Sequence, residues 1–322
     1  MRTVICEAFG PPASLREVDV ERPVPGRREV LARVEATGIG FVDGLTIQGK
    51  YQVKPWLPHY PGSEFAGTVE AIGDDVTEFA PGDAVFGTAN GALADYVCTG
   101  TGRCHRTPAG LGAAQAASLY TNYLTAVFGL RDRGHLRSGE TLLVLGAAGG
   151  VGTAAIAVAK AMGARVIGAA STPDKRATAE AAGADATVDY SRDDWRDALR
   201  AVTPEGLNVV YDPVGGDVAE PAFRSLAPGG RFLVVGFASG TIPRLPLNLA
   251  LLKRSAVVGV DWGGEVRARP GMNAELAATL IEWIEEDRLR VAPVTERPAS
   301  EYVRALEDQL AGRILGKLVL AR

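Results

Sequence analysis

A chain of 322 residues is too long for one ordinary hydrophobic core, so two domains are expected. Its 47% hydrophobic and 22% charged residues are ordinary for a globular protein. A formal net charge of −4 argues against a general nucleic-acid or anionic-membrane binder while leaving room for a local basic pocket. No apolar run reaches the ~18 residues of a membrane span, and the start MRTVICEAFG lacks the apolar core and cleavage site of a signal peptide. The expectation is a cytoplasmic, enzyme-sized protein that engages neither membrane nor nucleic acid.

Residues 1–120 are rich in Gly and Pro, with short β-like runs at 29–39, 65–73, 83–88 and 93–99 between turn signals. They read as a β-rich, partly closed domain. Cys6, Cys98 and Cys104 are odd in number and match no zinc spacing, so CTGTGRCH (98–105) reads as a strand and turn carrying small thiols. His59, His105 and His135 have no spacing that fits a metal site or a catalytic triad. The basic run RDRGHLR (131–137) reads as a solvated helix end.

The rhythm changes near residue 122. Apolar runs at 141–146, 165–170, 186–190, 207–212, 231–237 and 256–260 alternate with helical stretches at 151–163, 173–182, 192–202, near 217–226 and near 246–253. Six such strands with intervening helices predict a doubly wound parallel sheet. Beyond about 265, two helices (273–287 and 299–311) and a strand (317–320) return to the first domain. The fold class is therefore α/β, with 123–264 as a dinucleotide-binding domain inserted between 1–122 and 265–322.

LLVLGAAGGVG (142–152) places a glycine cluster where the first strand of that sheet meets a helix. On the G-x-G-x-x-G pattern Ala147 replaces the first glycine, and Gly149 and Gly152 fill the others. Small residues are needed there, because the backbone turns tightly, a pyrophosphate must approach main-chain N–H groups, and the helix packs close to the strand. Ala148, Gly149, Gly150, Val151 and Gly152 are the residues expected at the cofactor, with Gly236 and Phe237 at the end of a later strand.

An acid that holds the ribose 2′-hydroxyl belongs about 20 residues on. Ala170 stands there, followed by Ser171, Thr172, Pro173 and Lys175. Pro173 suits the first helical position, and Lys175 then lies in the first turn, where the helix dipole also favours an anion. A 2′-phosphate uses all of these features, so the expected cofactor is NADPH rather than NADH.

The ordered set ATGIGFVDGLTIQGKYQ, PGSEFAGTVEAIG, FAPGDAVFG, GALADYV, GAAGGVG and DPVGG, with GKYQVKP, spans essentially the whole chain. It resembles the zinc-free quinone oxidoreductase branch (zeta-crystallin-like) of the medium-chain dehydrogenase/reductase superfamily, whose first domain is GroES-like. At the two positions that hold catalytic zinc in its alcohol dehydrogenases this chain has Gly40 and Ser63, neither of which offers the thiolate or imidazole that zinc prefers. The four-Cys structural lobe is also missing, so no metal is expected. The resemblance implies reduction of quinones or α,β-unsaturated carbonyl compounds by NADPH, with an enoyl-thioester or substituted-acrylate reductase as the alternative and a non-catalytic NADPH- or RNA-binding protein as a remoter one. It implies that Tyr51 and Trp262 line the substrate side and that Thr125, accompanied by Asn122 and Tyr123, lies beside the nicotinamide. Lys175, Tyr190 and Arg313 are implied at the 2′-phosphate. Many relatives have Asn where Gly40 stands. A homodimer is expected from the resemblance and from 256–260, an apolar edge strand with no charge before Asp261.

Overall fold

A computed structural model describes residues 1–269 and 271–322. Its strands are β1 (Arg2–Ile5), β2 (Arg16–Asp19), β3 (Glu29–Ile39), β4 (Glu64–Ile72), β5 (Ala84–Thr88), β6 (Tyr96–Gly100) and β7 (Cys104–Arg106), then β8 (Thr141–Leu145), β9 (Arg165–Ala169), β10 (Ala186–Val188), β11 (Leu207–Asp212), β12 (Leu226–Val234) and β13 (Ala256–Gly259), and finally β14 (Val294–Pro298) and β15 (Lys317–Ala321). The chain divides into two compact units. One comprises 1–121, 273–277 and 294–322; the other comprises 122–272 and 278–293.

In the first unit β3 is the hub. Its eleven residues pair with β4 along one edge, while the other edge is shared by β6 against Glu29–Arg33 and β15 against Ala36–Ile39. The sheet continues as β14-β15-β3-β4-β5-β7. One core lies under β3, β4 and β5, with Val30, Val34, Phe65, Val69 and Val85. A second gathers Val4, Ile39, Ile47, Leu306 and Leu318, tying the two chain ends together. The β1–β2 hairpin, the strand β14 and the short helix Phe41–Ile47 have no counterpart among the expected elements.

The second unit is a six-stranded parallel sheet in the order β10-β9-β8-β11-β12-β13. Leu142 to Leu145 and Val209 to Tyr211 are fully buried, as continuous apolar strands covered on both faces must be. The helix Gly150–Ala161 is buried almost all round, because alanines at 154, 155, 157 and 159 let it lie close to the sheet.

Two expectations change. Residues 265–272 and 278–293, read as returning to the first domain, cluster with the parallel-sheet unit. The reason is local: Arg131 donates to Thr279 Oγ1 at 2.8 Å, and the buried amide of Ala292 donates to the Tyr123 hydroxyl at 2.8 Å. The basic run 131–137 is not merely solvated either. Arg133 donates to the Gly259 carbonyl, and the carbonyls of Gly134 and His135 accept from Arg231.

His105 in β7 lies between the rings of Phe86 and Tyr120, at 5.6 and 5.8 Å. Burial pushes its pKa down from 6.5 to about 4. The unfolded chain therefore binds the proton first, so stability falls as pH drops from about 6.5 to 4 and is level above that window. Over pH 7 to 4.5 this one group accounts for about 2–3 kcal/mol. In denaturant melts, His105→Phe is expected to lose that much less stability than wild type across the interval. Equal losses would contradict the assignment.

Candidate functional site

The turn after β8 is made by Gly146, at φ +60°, and not at position 147 as the motif alignment has it. A Cβ on Gly146 would lie 2.7 Å from Val214 Cγ2, and one on Gly152 would lie 2.4 Å from the Gly146 carbonyl oxygen. These contacts are possible only for glycine. Ala147 and Ala148 are buried against the sheet. Gly149 is the N-cap of the helix Gly150–Ala161 and offers no side-chain cap. The first-turn N–H groups of Gly150, Val151 and Gly152 have no helical carbonyl to bond. They form the positive end of the helix dipole, where a pyrophosphate fits.

This loop lies at the switch point of the sheet, since β8 and β11 are adjacent and the strand order runs outward from them in opposite directions, to β9 and to β12. Asp212 closes β11. It is buried, and one carboxylate oxygen accepts from Val214 N and Gly215 N, both at 2.8 Å. Burial pushes its pKa up, against the pull of those two amides. The Asp212 carbonyl accepts from the amides of Val235 and Gly236, which fastens the end of β12 beside it. A Cβ on Gly236 would sit 3.3 Å from the Pro213 carbonyl. Phe237 is partly exposed and covers Gly215. The DPVGG stretch was the sequence signal for this support.

At the end of β9, Ala170 is buried and its amide donates to the Val188 carbonyl. Thr172 caps the helix Pro173–Ala181 by accepting from Lys175 N at 3.3 Å, with Pro173 at its first position. The half-buried Lys175 has no acidic partner among the described residues. Tyr190 hydrogen-bonds with Ser171, and burial raises its hydroxyl pKa. The structure therefore brings Ser171, Lys175 and Tyr190 to one place. It also brings Asp189 there. Asp189 pairs with Arg176 at 2.7 Å and accepts from Ser191 Oγ at 2.5 Å. Sequence reasoning looked for an acid only at the end of β9 and missed one at the end of β10.

Thr125 lies half-buried in the helix Tyr120–Val127, with Asn122 and Tyr123 buried beside it. Trp262 is half-buried and opens the helix Trp262–Ala268, an element not anticipated.

In the first unit Tyr51 follows the helix Phe41–Ile47, half-buried, and its hydroxyl has no hydrogen-bond partner among the described residues. Arg313 is held by Asp308, Nε to Oδ1 at 2.7 Å, and Asp308 also binds Arg297. Gly40 and Ser63 meet at Asp43, which accepts from Gly40 N at 2.7 Å and from Ser63 Oγ at 3.3 Å. Next to them Lys317 and Glu64 form a fully buried ion pair, and Glu64 also accepts from Thr121 N at 2.5 Å. Burial pushes the Asp43 carboxyl up, and Glu64 adds to this, while Gly40 N, Lys317 and Ser63 oppose it. The Lys317 ammonium lies 3.9 Å from where a Cβ on residue 40 would stand, and with glycine and serine at positions 40 and 63 the donor set does not suit zinc. Burial also raises the thiol of Cys98 to about 11 and that of Cys104 to about 12, so neither is a ready thiolate. No group of three His, Cys, Asp or Glu side chains converges among the described residues.

Residues 26–129 match the alcohol dehydrogenase GroES-like domain and 150–285 match the zinc-binding dehydrogenase domain. The chain is 40% identical over 323 residues to quinone oxidoreductase-like protein 2 of Rattus norvegicus, covering 98% of this chain and 91% of the relative. It is 35% identical to a quinone oxidoreductase of Pseudomonas aeruginosa, covering 97% of each. The Escherichia coli quinone oxidoreductase complexed with NADPH superposes with a TM-score of 0.88 at 28% identity over the whole of both chains. The fold and the glycine loop define a medium-chain dehydrogenase/reductase. Within that superfamily the chain belongs to the quinone oxidoreductase branch.

Proposed function

We propose that the protein reduces quinones or α,β-unsaturated carbonyl compounds with NADPH, without a metal. The observation that carries this reading is the pair of positions 40 and 63. Gly40 and Ser63 offer neither the thiolate nor the imidazole that zinc prefers, and the one ammonium beside them, Lys317, is already paired with Glu64. An acceptor that needs no Lewis acid is then required, and a conjugated carbonyl spreads incoming charge to a distant oxygen.

The cofactor half rests on the second unit. The amides of Gly150–Gly152 receive the pyrophosphate, Ser171 and Tyr190 border the 2′-phosphate, and Lys175 provides a cation with no acidic partner among the described residues. Arg313, which the resemblance implies at that phosphate, is bonded to Asp308. Bound NADPH supplies the hydride. Tyr51, whose hydroxyl is uncommitted, holds the substrate oxygen or a proton-donating water; one positioned donor contributes about 10²–10⁴-fold. Thr125 and Trp262 border the nicotinamide and the substrate.

The second unit also favours a homodimer. β13 is the free edge of the parallel sheet, Val257 on it is 45% exposed, and the helix leading into it exposes Leu247, Leu251 and Leu252 at 71–78%. Apolar surface beside an open edge is covered most simply by a second copy.

Two measurements check this reading. NADPH oxidation against a panel of quinones, enones and enoyl thioesters should proceed fastest with a quinone or enone, be insensitive to chelators and need no stoichiometric zinc. Activity confined to enoyl thioesters, or lost with removal of one tightly bound zinc, would refute it. Light scattering at micromolar concentration should give twice the 33.7 kDa chain mass, and a monomer would contradict the proposed pairing.

A further inference from the structure

The pocket at the end of β9 and β10 holds two cations and one anion. Lys175 has no acidic partner among the described residues, whereas Arg176 is tied to Asp189 at 2.7 Å, with both of the latter side chains about one-fifth exposed. Asp189 is fixed from a second side as well, by Ser191 Oγ at 2.5 Å and Ser191 N at 3.0 Å, and Ser191 Oγ also approaches the Ser171 carbonyl at 3.4 Å. The carboxylate thus belongs to the same network as Ser171 and Tyr190. The other acid of the helix's first turn, Asp174, is exposed.

We propose that Asp189 sets the cofactor selectivity of this pocket by holding Arg176 in reserve. Only Lys175 is then left as a free cation for an adenosine 2′-phosphate among the described residues of this unit. The inference rests on the NADPH reading. Counting charges, Lys175 (+1), Arg176 (+1) and Asp189 (−1) leave the pocket at +1, and removing the carboxylate charge raises it to +2. A freed guanidinium makes strong bidentate bonds to phosphate. The hydrogen bonds from Ser191 and Arg176 hold the Asp189 carboxyl below its ordinary range, so the carboxylate stays charged at neutral pH. An acid one strand away from the position where NADH-binding folds carry theirs would moderate the preference for NADPH without abolishing it.

The test is calorimetric titration of the full-length protein with 2′,5′-ADP and with 5′-ADP at fixed ionic strength. Asp189→Asn keeps an acceptor for Ser191 N and is expected to tighten 2′,5′-ADP by about tenfold, as one new charge-assisted contact would, with 5′-ADP changed by less than about twofold. Arg176→Ala in the wild-type background should weaken 2′,5′-ADP, because Asp189 is then uncompensated. Adding Arg176→Ala to Asp189→Asn should erase the gain, the coupling that a merely structural role would not produce. No gain in Asp189→Asn, an equal gain for 5′-ADP, or a gain that survives Arg176→Ala overturns the proposal. Lys175→Ala separates the two levels. If it weakens 2′,5′-ADP alone, the pocket is correct, and the Asp189 variants decide this inference. If it leaves 2′,5′-ADP unchanged, the NADPH reading itself fails and the inference with it.

Discussion

A methyl group added at Gly152 would stand 2.4 Å from the Gly146 carbonyl oxygen. That single close approach sets the geometry of the second unit. It lets the helix Gly150–Ala161 start close behind the tip of β8, leaves the first-turn amides of Gly150–Gly152 without a helical carbonyl, and brings the alanines of the helix onto the sheet. The neighbouring strand ends are held to the same point by backbone bonding to Asp212. A carboxylate that accepts two amides while buried is rigid, and the β11 and β12 ends are fixed with it.

The first unit solves a different problem. A buried ion pair is weak evidence for stability, because desolvation offsets most of the attraction. Lys317 and Glu64 nevertheless join the start of β15, the start of β4 and the amide of Thr121. Gly38 makes room for them, since a Cβ there would lie 3.1 Å from Lys317 Cε. Removing one partner would leave an unpaired buried charge, which typically costs about 3–5 kcal/mol. The pair therefore fixes the joint next to Gly40 and Ser63.

Much of this was legible in the residues. The parallel strands are visible as apolar runs bounded by glycine, because both faces are buried and no alternation is needed. The helix at Pro173 announces itself by Thr172 and Pro173, a cap and a first-turn proline. What could not be read is whatever depends on register between distant segments. Asp189 lies only one residue before Tyr190, yet its pairing with Arg176 exists because β10 and β9 run side by side. Lys317 and Glu64 are 253 residues apart. The left-handed turn at Gly146 was displaced by one residue in the motif alignment, since the pattern counts glycines and not dihedral angles. The segment 278–293 clusters with the parallel-sheet unit through a tyrosine hydroxyl and a threonine, which carry no signal of their own in a sequence.

The central claim is that the pocket at Ser171, Lys175 and Tyr190 is built for a 2′-phosphate. The most direct measurement is the dissociation constant of wild-type protein for NADPH and for NADH under identical salt and pH. One uncompensated cation making charge-assisted bonds, worth roughly 1.5–3 kcal/mol, predicts that NADPH binds at least about tenfold more tightly. Equal affinity for the two cofactors would contradict the account.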